Sequence, residues 1–134
     1  EQVGSNGVPF GMSDSEVNYI ELPATDLDST KAFYAEAFGW DWVDHGPTYA
    51  TSTSGQIKVA LNAEASVGPA HNSGAQNSVG PFVLFGTSDL EAVESAVRTA
   101  GAEIVSSIYP YPGGRRFHFA DPSGNILGVY QPTT

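Results

Sequence analysis

The chain has 134 residues and no cysteine, with five Lys+Arg against fifteen Asp+Glu, a net charge of -10 and a pI near 4.3. That length predicts one compact domain, and the missing cysteine excludes a disulfide scaffold, a thiolate metal site and a thiol nucleophile. The acidic balance argues against nucleic acid and acidic membranes as partners.

Residues 1–16 are polar and Gly/Ser-rich and read as an arm with no basic, apolar targeting segment. No run approaches the ~20 apolar residues of a membrane helix, so the cytoplasm is the expected compartment. Val17 to Leu22 alternates with period two and predicts a strand that Pro23 can end. Asp26 or Asp28 caps a helix from about Ser29 to Phe38, and Gly39 stands where a left-handed stop belongs. Strands follow around Trp40–Val43, Tyr49–Thr53 and Ile57–Leu61, broken at His45-Gly46-Pro47 and Ser54-Gly55. Trp40 and Trp42 share a face of their strand, which suits packing on a second subunit.

Residues 63–80 are small, polar and aperiodic, so they are expected as a linker or as a loop at a site. The pattern then restarts. A strand over Phe82–Gly86 leads to a helix capped by Ser88 or Asp89, with Leu90, Val93 and Val97 as its apolar stripe and Ala100-Gly101 as its end. Glu103–Ile108 reads as a strand and Tyr109 to Gly114 as a stiff aromatic loop, either a lid or a plain connection. Arg115–Ala120 and Asn125–Tyr130 are strands around an Asp121-Pro122-Ser123-Gly124 turn.

The second half repeats the first. Asp26 and Asp89 open the two helices 63 residues apart, and Gly39 and Gly101 close them. Each half is β-α-β-β-β, which predicts an α+β fold of two modules, 17–62 and 81–131, joined by 63–80. Their paired, curved sheets would enclose a cleft, with helices on the outer faces.

The segment from Ile20 through Asp26, Leu27 and Phe38 to Asp41 resembles the opening module of the vicinal oxygen chelate superfamily, the glyoxalase, bleomycin-resistance and extradiol-dioxygenase group. Residues 113–131 (GGRRFHFADPSGNILGVYQ) resemble its closing hairpin with the D-P-x-G-N turn. The resemblance spans residues 17–131. It implies that four residues on the inner strands hold a divalent ion in metal-dependent members, usually His, Gln or Glu. Carried over one by one, those positions are Tyr19, Ala60, Phe82 and Gly128. Ala, Phe and Gly side chains offer no lone pair, and a catalytic centre needs about three protein ligands. The expectation is therefore no metal and no other cofactor.

Strand alternation adds Val17, Glu21, Lys58, Asn62, Leu84, Ile126 and Tyr130 to the cleft face, with room left in the floor at Ala60 and Gly128. Glu21 is a candidate base if an apolar cleft raises its pKa; pairing with a neighbouring cation is the plainer role. Of Arg115 and Arg116, one faces the cleft as an anion contact and the other cannot. His118 is the other acid–base candidate because its ordinary pKa lies near neutrality, a packed or surface histidine being the plainer role, whereas His45 and His71 fall in turns or linker. The leading expectation is metal-independent binding of a small planar ligand stacked on Tyr19, Phe82 and Tyr130, a cationic one being favoured by the net charge. The alternatives are a lyase or isomerase related to glyoxalase I, using Glu21 or His118, and an assembly module with no ligand. The resemblance also implies a homodimer.

Overall fold

A computed structural model describes residues 15, 17–53, 55–67 and 81–133. Most of the arm and of the 63–80 segment, His71 included, lies outside the described residues.

The first module runs β1 (Tyr19–Pro23), α1 (Leu27–Phe38), β2 (Trp42–Asp44), β3 (Tyr49–Ser52) and β4 (Lys58–Asn62). The second runs β5 (Leu84–Gly86), α2 (Leu90–Thr99), β6 (Glu103–Tyr111), β7 (Gly114–Ala120) and β8 (Ile126–Pro132). Each module forms a four-stranded sheet, ordered β1-β4-β3-β2 and β5-β8-β7-β6. The first and last strands of each module pair in parallel and the other pairs are antiparallel. The fold is the expected α+β pair of βαβββ units, and the sheets are not closed.

Alternation sorts each sheet into two faces. Leu22, Val59 and Leu61 of the first sheet and Phe117, Phe119, Leu127 and Val129 of the second join Phe33, Tyr34, Leu90 and Val97 of the helices in one core. The opposite face of each sheet is here termed its open face. Rings of α1 reach the second sheet, Phe38 lying 4.9 Å from Phe85 and Phe33 5.7 Å from Phe119 between centroids. Their burial supplies the main drive for joining the modules.

A polar node sets the geometry of that joint. Asp121, in the turn between β7 and β8, accepts from the backbone N–H groups of Ser123 and Asn125, each at 2.9 Å. Its second oxygen accepts from the Tyr34 hydroxyl and from Asn125 Nδ2, also at 2.9 Å. Asn125 Nδ2 further donates to the Pro23 carbonyl at 2.7 Å, which ties the turn to the end of β1. Burial pushes the Asp121 carboxyl above its ordinary pKa, and these hydrogen bonds oppose that rise.

The helix caps are alike in sequence and different in mechanism. The Asp89 carboxylate accepts from Ala92 N at 3.1 Å and caps α2. The Asp26 side chain makes no cap bond; its backbone N–H donates to Ser123 Oγ at 3.2 Å, across the module joint. Gly39 does close α1 in the left-handed conformation, at φ 74.

One expectation is corrected. Tyr109 to Gly114 is not an aromatic loop, because β6 continues to Tyr111 and only Pro112 and Gly113 turn into β7. Trp40 and Trp42 are half-buried against α1. Trp40 stacks on Tyr34 with centroids 5.0 Å apart, and Trp42 Nε1 donates to the Lys31 carbonyl at 3.1 Å.

Tyr34→Phe removes one of the donors to buried Asp121 and keeps the ring. It is expected to lower the unfolding free energy by about 1–3 kcal/mol, the cost of leaving a buried acceptor short of a partner. Urea denaturation followed by tryptophan fluorescence measures this; an unchanged midpoint would show that the node does not hold the modules.

Candidate functional site

The open face of the first sheet carries a hydroxyl–carboxylate network. Parallel pairing sets Glu21 beside Ala60 and Tyr19 beside Lys58, with Tyr49 of β3 opposite Asn62. The Tyr49 hydroxyl donates to Glu21 Oε1 at 2.7 Å, and Asn62 Nδ2 donates to Oε2 at 3.1 Å. Tyr49 has spent its one proton on Glu21, so its 2.7 Å contact with the Tyr19 hydroxyl must take the proton from Tyr19. These bonds, Tyr49 first and then Asn62, hold the Glu21 carboxyl below its ordinary pKa. The raised pKa expected for a base at Glu21 is therefore overturned: the carboxylate is exposed and already supplied with donors. Lys58 is exposed at the end of β4, and Ala60 is fully covered by its neighbours, so it leaves no space in the floor.

The open face of the second sheet is aromatic around one cation. Gly128 pairs with both Leu84 and His118, and Tyr130 with both Gly86 and Arg116, so these side chains share a face. A β-carbon on Gly128 would lie 2.6 Å from Leu84 Cδ2 and 3.1 Å from the Phe82 ring, so both side chains occupy the room expected there. Phe82 packs on His118 at 4.6 Å between centroids. The Arg116 guanidinium carbon lies 5.5 Å from the Phe82 and Tyr109 ring centroids and 4.5 Å from that of Tyr111. Its Nε–H donates to the Tyr109 hydroxyl, which also bonds His118 Nε2 at 3.0 Å. A groove of about 460 Å³ opens at the end of β5 and β8 over Gly86, Thr87, Ser88, Tyr130, Gln131 and Pro132, and Tyr130 is the residue that joins it to the open face.

The ambiguity between the two arginines resolves by alternation. Arg116 lies on the open face with His118, whereas Arg115 reaches Glu91 of α2 in a two-pronged ion pair at 2.6 and 3.2 Å. His118 is completely buried, and burial, with Arg116 adding to it, depresses its pKa to about 4. His118 is thus a packed histidine, and its pKa does not suit acid–base work near neutrality. His45 is exposed and bonds Thr51 Oγ1 at 2.9 Å.

Sequence reasoning missed Tyr49, Tyr109 and Tyr111 as open-face residues. The alternation of β3 would have shown Tyr49; the two prolines around Tyr111 hid the other pair. A larger groove, of about 860 Å³, opens elsewhere, between the end of α1 and the two sheets. Phe38, Trp40, Ile20 and Val83 line it with no charged side chain, as an uncovered rim of the core.

The four positions that would hold a divalent ion do not fit one. Ala60, Phe82 and Gly128 provide no donor atom. The Tyr19 hydroxyl is engaged with Tyr49, and no group of three His, Asp or Glu suited to a metal occurs among the described residues. Among those residues, too, no helix is long and apolar enough to cross a membrane.

The depressed His118 pKa has a sign that can be tested. The neutral imidazole is favoured in the fold, so this stability is full above the ordinary pKa of 6.5 and is lost as pH falls towards about 4. His118→Gln is expected to flatten the fall in unfolding free energy between those pH values. Parallel slopes for the two proteins in urea titrations at stepped pH would refute the assignment.

The model of the Glyoxalase/Bleomycin resistance protein/Dioxygenase superfamily matches residues 16–129. Among curated proteins, "Putative glyoxylase CFP32" of Mycobacterium bovis is 28% identical over 123 residues, 85% of this chain and 44% of that protein. "Anthracycline biosynthesis protein DauV" of Streptomyces sp. strain C5 is 29% identical over 126 residues, 84% of this chain and 46% of that protein. The chain thus spans about half the length of these curated relatives. Among solved structures, TnmS3, an antibiotic binding protein from Streptomyces sp. CB03234, superposes with a TM-score of 0.66 at 24% identity, covering 91% of this chain and 99% of that one. A family enzyme from Burkholderia phytofirmans gives 0.69 at 16% identity, covering 89% and 100%. On the family match over nearly the whole folded region, the chain belongs to the glyoxalase/bleomycin resistance protein/dioxygenase superfamily.

Proposed function

We propose that this chain binds a small planar molecule on its open faces without a metal and acts by holding it. The carrying observation is what stands at the four chelating positions. Three have no donor atom, and Phe82 and Gly128 are used to pack rings against His118 and Arg116. A groove of about 460 Å³ lined by Tyr130 is within the range of small-molecule sites. The likeness to a protein named for anthracycline biosynthesis, and the fold shared with an antibiotic binding protein, support this reading. A lyase or isomerase is less well supported, since both acid–base candidates are shifted away from neutrality, Glu21 by hydrogen bonds and His118 by burial. The proposal includes a cytoplasmic homodimer on the family resemblance.

Thermal unfolding of the full chain with planar cationic, neutral and anionic compounds tests it. A binder at a hundredfold excess over its Kd stabilises by about 2.7 kcal/mol, enough to raise Tm by several degrees. Nickel, zinc and ferrous ions are expected to leave Tm unchanged. Stoichiometric retention of one of these metals, with a rise in Tm, would overturn the metal-free reading. Turnover of the methylglyoxal–glutathione hemithioacetal would move the chain to the enzymes.

A further inference from the structure

We infer that Arg116 is the anchor for an ionised carboxylate on a planar aromatic ligand; this rests on the binding role proposed for the same face. Of the five basic residues, Lys31 pairs with Asp44, Arg98 with Glu94 and Arg115 with Glu91. Among the described residues no carboxylate pairs with Lys58 or Arg116, although acids outnumber bases threefold. Lys58 is exposed at a strand end, where water serves an ammonium well. Arg116 is half-buried under three rings, where water serves it less well.

A guanidinium has two kinds of surface. Its flat faces are suited to aromatic rings, and its rim carries five N–H groups in one plane. Phe82, Tyr109 and Tyr111 surround the guanidinium within 5.5 Å. On the rim only Nε is engaged, by the Tyr109 hydroxyl. The two terminal nitrogens have no acceptor among the described residues. They form the fork that matches a carboxylate with two parallel hydrogen bonds. The Tyr109 bond orients that fork in advance, which lowers the entropy lost on binding.

The aromatic part of the ligand follows from what adjoins the fork. Arg116 is directly opposite Tyr130 in the β7–β8 register, and such pairs have side chains about 5 Å apart at Cβ. Tyr130 lines the groove over Gly86, where a β-carbon would lie 3.5 Å from its ring. A flat ring seated there stacks on Tyr130 while its carboxylate meets Arg116. This reverses the preference expected from net charge, because a contact within a few ångströms outweighs a screened field.

Three flat bicyclic probes separate the terms: 2-naphthoate, its uncharged amide 2-naphthamide, and N-methylquinolinium. Isothermal titration is expected to give 2-naphthoate about tenfold tighter binding than 2-naphthamide, and N-methylquinolinium the weakest. Arg116→Gln should remove that tenfold advantage by weakening 2-naphthoate far more than 2-naphthamide. Arg116→Lys, which keeps the charge and loses the fork, should remove most of it and decides the matter if the Gln variant does not fold. Arg98→Gln, on α2 and outside the groove, should bind all three as the parent does. Equal binding of naphthoate and naphthamide, a preference for N-methylquinolinium, or an equal loss for every probe in the Arg116 variants overturns this inference and leaves the binding role standing. Failure of all three probes overturns both.

Discussion

The buried hydrogen bond from the Tyr34 hydroxyl to Asp121, 2.9 Å long, governs how the two modules stand to one another. A carboxylate removed from water is costly unless its lone pairs are met. Asp121 meets them with two backbone N–H groups, a phenol and an amide. Two donors belong to its own turn, one to the Asn125 side chain and one to α1 of the other module. The same group thus shapes the turn and docks it. β8 starts directly after that turn and carries Gly128 and Tyr130 on its open face, so the placement of the aromatic cluster follows from a contact on the far side of the sheet.

Element order and module division were legible in the sequence because periodicity and punctuation agree: alternating strands, Asp at each helix start and Gly at each end. The joint was not. D-P-x-G-N reads locally as a turn, and nothing in five residues says that the Asp will face a tyrosine 87 positions earlier. Asp26 and Asp89 look equivalent, yet only Asp89 caps its helix, since the backbone at Asp26 turns to Ser123 across the joint. The Tyr109–Tyr111 stretch was misread because proline argues against a strand. β6 is an edge strand, however, and exposed Pro110 withholds an N–H that the ladder does not require. For the arginines, alternation required that one face in, and only the pairing of Arg116 with Tyr130 fixed which.

The open face of the second sheet shows how a chelating frame becomes a packing frame. Gly128 has no side chain, so Phe82 can pass over β8 and rest on His118. His118 is thereby sealed and held neutral, with Arg116 adding to the shift. Sealing removes the histidine from proton transfer near neutrality and leaves Arg116 as the cation among those rings. Cation and rings are then interdependent: the rings exclude water from the guanidinium, and the guanidinium gives an otherwise apolar surface a direction of preference.

The two modules share topology and have diverged in how their open faces treat charge. In the first, Glu21 is met by Tyr49 and Asn62, with Tyr19 completing the chain, so its charge is satisfied within the sheet. In the second, Arg116 has its faces covered and its outer rim open. Donors already committed to a carboxylate must be freed before a ligand can use them, whereas an open guanidinium rim requires only the release of water. Under the proposed binding role, the free-energy gain from a ligand would therefore concentrate in the second module. The network around Glu21 is exposed, so water can replace any of its bonds and a ligand would gain little by taking one.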